Sequence, residues 1–201
     1  MNNKRKVILV TDGDSVAQRA VETAVANIGG RCISRSGGNP TPMTGWEIVE
    51  LIKSAKNDPV VVMADDKGSP QTGQGEWALY NIINHPDIEI LGVIAVASNT
   101  NGVNGIEVDF SITCDGKIIR GAVDKDGLPK KGTVLYGDTV DIIEKCDVPV
   151  IIGIGDIGKM EGKDDCEIGA PILTKAIEEI LSRSGYTDET NEKYKGKFSN
   201  S

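Results

Sequence analysis

The chain has 201 residues, of which 39% are hydrophobic and only 4% aromatic, and its formal net charge is −8. This length is enough for one domain with a core of Val, Ile, Leu and Ala. The negative charge repels nucleic acid and anionic lipid at long range, so we expect no nucleic-acid partner, although it does not exclude a local basic patch. No apolar run is long enough to span a bilayer, and the run after the charged start is too short for a signal peptide, which predicts a soluble protein. The four cysteines are widely spaced and form no C-x-x-C, so reduced thiols in a cytoplasmic protein are the simplest interpretation.

A buried strand at about residues 6–11 is the first predicted element. The run from Val7 to Val10 has no polar alternation, which is typical of a strand buried on both faces of a parallel sheet. It ends in two aspartates separated by a glycine. Ser15 and Gln18 then form a capping-box pattern, which predicts a helix over residues 15–28.

Three further strands, at about 31–35, 60–64 and 89–97, alternate with two helices. Thr44 and Glu47 form a second capping box that predicts the first of these helices, and the second helix is predicted near 75–83. The alternation of strand and helix predicts parallel pairing with right-handed crossovers.

After residue 98 the regular alternation stops. Asp115-Gly116 lies between two extended runs, so residues 106–123 predict an antiparallel hairpin that either extends the sheet or contacts a second subunit. A further buried strand is predicted at 149–154, and a last helix at about 171–181. The runs after Tyr186 are polar and charged.

Together these elements predict one α/β domain over residues 1–185. Its fold class is an open, mostly parallel, Rossmann-like sheet flanked by helices, with an appended antiparallel hairpin. Residues 186–201 are predicted to form a disordered polar tail.

Polar and glycine-rich segments follow the predicted parallel strands. Ligands of open α/β sheets bind outside the carboxyl ends of the strands, so we predict a ligand site where these segments meet. Glycine-rich loops can present backbone N–H groups to a phosphate or carboxylate, and clustered carboxylates suit a hard cation such as Mg²⁺ or Ca²⁺. The predicted ligand-binding residues are Asp12, Asp14, Ser36, Gly38, Asn39, Asp65, Asp66, Asn99, Gly155, Asp156 and Lys159, with Asp12, Asp14 and Asp65 as the metal ligands.

Several of these residues also have a structural interpretation. Asp14 can cap a helix and Asp66 can start a turn. The pattern from Gly153 to Gly158 fits G-x-G-x-x-G, but no helix is predicted directly after it, so we reject a standard dinucleotide site. Trp46 and Trp77 are each near a helix start and are interpreted as packing anchors.

The segment Asp12-Gly13-Asp14 resembles the D-x-D strand end of the Toprim domain of primases and topoisomerases. That family holds Mg²⁺ with the D-x-D pair and a separate glutamate. Here the pair follows the first predicted strand, and no glutamate-bearing strand precedes it. The resemblance therefore implies a similar fold, and Toprim-like chemistry enters only an alternative function.

A set of short blocks along the chain resembles the soluble stage V sporulation protein AE family, in its AE-a form, of spore-forming bacteria. The resemblance extends to about Gly185. The blocks are Val10-Thr11-Asp12-Gly13-Asp14, Arg31-Cys32-Ile33-Ser34, Gly38-Asn39-Pro40-Thr41, Asp65-Asp66-Lys67-Gly68, Gly137-Asp138-Thr139 and Gly153-Ile154-Gly155-Asp156-Ile157-Gly158-Lys159-Met160.

This resemblance implies a product of the operon whose membrane subunits move calcium–dipicolinate into the forespore and out of the spore at germination. It implies membrane subunits of that system as partners, and a location in the cytoplasm or forespore, peripheral to the inner spore membrane. It assigns no catalytic residues. A homo-oligomer is left open.

The sequence therefore supports two candidate functions. The leading one is a soluble, non-enzymatic accessory protein of the stage V sporulation A system, linked to calcium–dipicolinate movement and germination. The alternative is a Toprim-like or other metal-dependent enzyme, or a sensor, that binds a phosphate- or carboxylate-bearing small molecule at the strand ends. Enzymatic activity is left undecided at this point.

Overall fold

The structure is a computed structural model that describes residues 4–68, 73–99 and 102–186. Apart from Tyr186, the predicted tail over 186–201 lies outside the described residues. The strands are β1 (Arg5–Val10), β2 (Arg31–Cys32), β3 (Val60–Met63), β4 (Ile88–Val96), β5 (Ile106–Glu107), β6 (Phe110–Ile112), β7 (Ile118–Ile119), β8 (Val134–Leu135) and β9 (Ile151–Ile154). The α-helices are α1 (Ser15–Asn27), α2 (Gly45–Ser54), α3 (Gln74–Ile83) and α4 (Pro171–Arg183).

Seven strands form one sheet in the order β2-β3-β1-β4-β9-β6-β7. All neighbouring pairs are parallel except β6 with β7. The five strands predicted to be mutually parallel are therefore confirmed, and so is the mostly parallel α/β fold. The sheet is buried on both faces, as successive residues of β1 show. Ile8 and Val10 pack into one apolar cluster, and Val7 and Leu9 pack into the other.

The helices divide between the two faces of the sheet. Helices α1 and α4 contribute to the cluster that contains Ile8, whereas α2 and α3 contribute to the cluster that contains Leu9. Gly45 of α2 lies so close to α3 that a Cβ there would come within 2.6 Å of the Asn81 Cβ. The packing of helices on both faces is the three-layer arrangement that buries a parallel sheet.

The predicted hairpin is confirmed in part. Strands β6 and β7 pair antiparallel around Asp115-Gly116, with Ser111 opposite Ile119, and they extend the edge of the main sheet through β9. The prediction is wrong for Ile106–Glu107, which pair antiparallel with β8 in a separate two-stranded sheet. The chain changes sheets at Asp109, whose backbone N–H donates to the Ile151 carbonyl while its carboxylate accepts from the Ile151 N–H.

Carboxylates help to hold the starts of α1, α2 and α4. Helix α2 begins with the predicted Thr44–Glu47 capping box. Helix α1 is capped by Asp14 rather than by the predicted Ser15–Gln18 pair, because the Asp14 carboxylate accepts from the N–H groups of Val16 and Ala17. Helix α4 follows Ala170, which offers no capping side chain. The buried Asp164 carboxylate accepts instead from the N–H groups of Ile172 and Leu173.

The interpretation of the two tryptophans as packing anchors is wrong. Trp46 is 64% exposed and Trp77 is 57% exposed, because α2 and α3 turn other side chains, such as Ile48 and Leu79, toward the core. Trp46 meets His85 edge-on, and Trp77 meets Tyr80 in the same way. The aromatic side chains of α2 and α3 therefore form part of the outer surface.

None of the helices within the described residues has the length and the hydrophobicity that a membrane crossing requires.

Candidate ligand site at the carboxyl ends of the strands

The candidate site lies in a crevice between β1 and β3, which are neighbours in the sheet. The chain leaves β1 for α1 on one face, and it leaves β3 for α3 on the opposite face. Neighbouring strands whose connections depart to opposite faces leave a crevice outside their carboxyl ends. Asp12 follows β1 and Asp65 follows β3, so both carboxylates border this crevice.

Asp12 is a partly buried carboxylate. Its Oδ1 accepts a hydrogen bond of 2.7 Å from the Gly13 N–H. Burial raises the pKa of Asp12 to about 7, with further contributions from the negative charges of Asp14, Asp65 and Asp156. The charges of those three residues act on Asp12, so the structure brings together four of the aspartates predicted for the site.

Asp65 is buried, with 5% of its surface exposed. Thr41 fixes its backbone, because the Asp65 N–H donates to the Thr41 Oγ1 and the Thr41 N–H donates to the Asp65 carbonyl, both at 2.8 Å. Burial raises the pKa of Asp65 to about 6, and the nearby negative charges of Asp138, Asp14 and Asp66 act in the same direction. One hydrogen bond, from the Lys67 N–H, opposes this shift.

Two of the predicted site residues have structural roles. Asp14 caps α1, as described above. Asp66 accepts from the N–H groups of Gly75 at 2.6 Å and Glu76 at 2.9 Å, so it holds the start of α3. The pKa of Asp66 is raised, chiefly by burial. Both carboxylates still add negative charge to the crevice, because a helix cap is most favourable when it is ionised.

The loop after β2 closes over one side of the crevice. Ser36 is fully buried, and its hydroxyl donates to the Ile33 carbonyl and accepts from the Met63 N–H, so it fixes the loop to β3. Gly38 packs against Gly13, where a Cβ would come within 2.8 Å of the Gly38 carbonyl oxygen. Asn39 is exposed on the same loop. The predicted residues of this loop therefore shape the crevice, and Ser36 does so from the core.

The loop after β9 carries the one predicted cation of the site. Lys159 donates to the Asp156 carboxylate at 2.5 Å, and the Gly158 N–H donates to the same carboxylate at 3.0 Å. The pKa of Lys159 is raised, first by this hydrogen bond. Gly155 packs closely against the neighbouring loop, since a Cβ there would come within 2.6 Å of the Gly127 N. Asn99, also predicted, is exposed in the segment after β4.

Asp138 and Thr139 belong to the crevice but were absent from the sequence-based site. The charge of Asp138 acts on both Asp65 and Asp66, and its carboxylate accepts from the Gly68 N–H. The Thr139 side chain hydrogen-bonds to Asp66. Gly137 brings them there by packing against the end of β4, where a Cβ would come within 2.2 Å of the Val96 carbonyl oxygen. The sequence signal of this placement is the block Gly137-Asp138-Thr139, which follows a short strand and is one of the blocks quoted for the family resemblance.

We use "acidic rim" for Asp12, Asp14, Asp65, Asp66, Asp138 and Asp156. Within the part of the chain that the structure describes, no three His, Cys, Asp or Glu side chains are placed to hold one metal ion between them. The cation site proposed for Asp12, Asp14 and Asp65 therefore stays a prediction. Chemically, the acidic rim favours a positively charged group and repels a free anion.

The fold and the crevice define an open parallel α/β protein with an acidic strand-end site. Comparison with known proteins identifies the family, because a family model described as stage V sporulation protein AE1 matches residues 6–184. The chain therefore belongs to the stage V sporulation protein AE family, which indicates a role in sporulation. Neither the curated proteins nor the solved structures contain a match to the chain.

Proposed function

We propose that this protein is a non-enzymatic accessory protein of the stage V sporulation A system and that its acidic rim binds calcium–dipicolinate. The observation that carries the proposal is the pair Asp12 and Asp65, which lie at adjacent strand ends with the pKa of each raised by burial and by neighbouring carboxylates. Two such carboxylates gain stability from any positive charge that enters the crevice.

The charge of the rim favours the calcium chelate over free dipicolinate. Free dipicolinate is a dianion at neutral pH, and six aspartates repel it. The 1:1 chelate with Ca²⁺ is neutral, and its calcium ion retains coordination positions because Ca²⁺ takes six to eight oxygen ligands. Carboxylate oxygens of Asp12 and Asp65 are suitable ligands for those positions.

A chelate also suits a rim in which no three of the described side chains are placed to hold a metal ion. Dipicolinate supplies two carboxylate oxygens and the pyridine nitrogen to the calcium ion. The protein then needs to supply only one or two oxygens, fewer than the three side chains that a bare ion requires. The exposed loops beside the crevice, which carry Asn39 and Lys159, can contact the carboxylates of the chelate.

Membership of the stage V sporulation protein AE family supports the proposed cellular role. The protein acts with the membrane subunits that move calcium–dipicolinate, and it works peripherally at the inner spore membrane from the cytoplasm or forespore. It binds and releases the chelate unchanged. We propose this assignment over the alternative, a metal-dependent enzyme or sensor. In that alternative the crevice would bind a free anion or a bare cation.

Isothermal titration calorimetry tests the proposal, with calcium–dipicolinate, Ca²⁺, Mg²⁺, dipicolinate and inorganic phosphate as separate titrants. We expect the chelate to bind best. At about 100 times its Kd it should stabilise the folded protein by about 2.7 kcal/mol. Asp12→Asn and Asp65→Asn should each weaken chelate binding about tenfold or more, since a hydrogen bond or contact to a charged group contributes about 1.5–3 kcal/mol.

Asp147→Asn is the matched control, because Asp147 is exposed and precedes β9 at the opposite end of that strand. Its chelate affinity should equal that of the wild type. Tight binding of Ca²⁺ or Mg²⁺ alone, or of phosphate, would instead support the alternative enzyme or sensor. No heat with any titrant would refute a ligand role for the rim.

A further inference from the structure

A second charged surface lies outside the acidic rim. Residues 117–136 contain five basic and two acidic residues, which gives this segment a net charge of +3 in a chain whose net charge is −8. Outside the segment, the exposed carboxylate of Glu107 accepts a hydrogen bond from the Thr133 hydroxyl at 3.0 Å. The basic residues are Lys117, Arg120, Lys125, Lys130 and Lys131, and the acidic ones are Asp124 and Asp126.

Three of the basic side chains are available to a partner. Arg120, Lys130 and Lys131 are exposed, and none of them takes part in a salt bridge within the described residues. By contrast, Lys117 pairs with Asp115 at 2.6 Å and Lys125 lies 3.8 Å from Asp126. The other acidic residue of the segment, Asp124, uses its carboxylate to accept backbone N–H groups of its own turn.

Apolar side chains are exposed beside these cations. Leu128 is 52% exposed, Tyr136 is 44% exposed and Val134 is 37% exposed. Val134 of β8 and Tyr136, directly after it, flank the buried Leu135, so both are exposed on the side opposite to Leu135. We use "basic surface" for Arg120, Leu128, Lys130, Lys131, Val134 and Tyr136.

Backbone contacts hold these residues together. The Ala122 N–H donates to the Gly132 carbonyl and the Lys130 N–H donates to the Ala122 carbonyl, both at 2.9 Å. Arg120 is thereby held close to the segment that carries Lys130 and Lys131. The Lys130 ammonium lies 5.0 Å from the centre of the Tyr136 ring, which is a cation–π distance.

We propose that the basic surface binds an anionic lipid bilayer. Lysine and arginine beside exposed Leu, Val and Tyr suit a membrane interface, because the cations attract lipid headgroups while the apolar groups enter the boundary of the acyl chains. A nucleic acid would need the cations, because its phosphates dominate binding, but it gains little from exposed Leu and Val side chains. This inference specifies the surface and the lipid class for the peripheral location proposed above, and it does not depend on the ligand of the acidic rim.

The two charged regions should also orient the protein on the bilayer. An anionic bilayer repels the acidic rim and attracts the basic surface, so binding through Arg120, Lys130 and Lys131 should be oriented. The two regions are fixed relative to each other, since the Asp156 N–H of the rim donates to the carbonyl of Lys125, in the segment that carries the basic surface, at 2.8 Å.

Vesicle co-sedimentation of the full chain tests the proposal. Vesicles of phosphatidylcholine with phosphatidylglycerol are compared with vesicles of phosphatidylcholine alone, in EDTA and without dipicolinate. We expect binding only to the anionic vesicles, and binding should weaken as salt is raised. Lys130→Gln/Lys131→Gln should weaken it about thirty-fold, because each lysine near an anionic surface contributes about a factor of five. Leu128→Ser should weaken binding without changing its salt dependence.

The control is Lys53→Gln/Lys56→Gln, which makes the same change in net charge at two exposed lysines at the end of α2. It should bind anionic vesicles as the wild type does. Equal loss in both double variants, equal binding to both kinds of vesicle, or no binding by the wild type would overturn the proposal. Binding to single-stranded DNA in place of vesicles would overturn it too and would assign the basic surface to nucleic acid. Because no calcium or dipicolinate is present, these results are independent of the calorimetric test of the rim.

Discussion

Asp12 and Asp164 are two aspartates for which the pKa is raised to about the same value, near 7, for different reasons. Burial alone raises the pKa of Asp164, and the N–H groups of Ile172 and Leu173 partly oppose it. The pKa of Asp12 is raised by burial together with the charges of Asp14, Asp65 and Asp156. A shifted pKa therefore identifies a candidate site only when other charges contribute to the shift, whereas a shift from burial alone is equally consistent with a helix cap.

The largest expected effect concerns both aspartates, because stability should fall as the pH rises. The pKa is raised to about 7 for Asp12 and Asp164 and to about 6 for Asp65, so the folded state binds protons more tightly than the unfolded state. Their contribution is complete below pH 4 and is lost as the pH rises to 7. We expect a loss of up to about 7 kcal/mol between pH 5 and pH 8, since over this range Asp12 and Asp164 each account for about two pKa units and Asp65 for about one, at 1.36 kcal/mol per unit.

Differential scanning calorimetry at pH 5, 6, 7 and 8 measures this dependence. The double variant Asp12→Asn/Asp164→Asn should flatten it, because two of the three titrating groups are removed. A melting temperature that rises from pH 5 to pH 8 would contradict the assigned directions of the pKa shifts.

The next largest effect is the loss of stability when the carboxylate of Asp164, which holds a helix start by hydrogen bonds, is removed. Asp164→Ala should lower the free energy of unfolding by about 2 kcal/mol, because it leaves the buried N–H groups at the start of α4 without an acceptor. Asp164→Asn retains an acceptor oxygen and should remain within about 1 kcal/mol of the wild type. Urea unfolding at pH 7 compares them, and equal losses in both variants would show that the charge, not the hydrogen bond, is what matters.

Asp12→Asn should have the opposite sign. The substitution removes a buried charge and its repulsion by Asp14 and Asp65, so stability at pH 8 should rise by about 1 kcal/mol. At pH 5, where Asp12 is mostly protonated in the folded protein, the gain should disappear. Urea unfolding at the two pH values provides the measurement, and destabilisation at both would mean that Asp12 holds the fold rather than a ligand.

The smallest effect tests the coupling between Asp14 and Asp12. Asp14→Asn keeps the cap of α1, because Asn is as good an N-cap as Asp, so stability should change by only a few tenths of a kcal/mol. The pKa of Asp12 should fall, since the second largest cause of its shift is the charge of Asp14. Carbon-13 NMR titration of the aspartate carboxyl groups would detect this, and an unchanged pKa would show that the charge of Asp14 does not contribute to the shift of Asp12.

The sequence predicted the parallel sheet well because its signal is local and strong. The apolar runs of β1, β3, β4 and β9 could only be buried on both faces, and strand-end geometry then placed Asp12 and Asp65 together. The structural interpretation of Asp14 was also correct, although the capping-box pattern named Ser15 in its place. In that case the capping residue was the one immediately before the pattern.

The parts that could not be predicted depend on contacts distant in sequence. Ile106–Glu107 alternate like one arm of a hairpin, but their partner, β8, begins 27 residues after β5 ends. Asp138 reaches the rim only because Gly137 fits against β4. The exposure of Trp46 and Trp77 depends on which side of each helix meets the sheet, and a large aromatic residue gives no sign of the face on which it lies.

The exposure of both tryptophans also has a spectroscopic consequence. The chain contains no other tryptophan, and indole rings in contact with water emit at long wavelength before as well as after unfolding. Fluorescence would therefore change little as the sheet melts, whereas circular dichroism would follow it fully. The same two fluorophores are accessible to acrylamide in the native protein, so any partner that covers α2 and α3 should shield them from quenching.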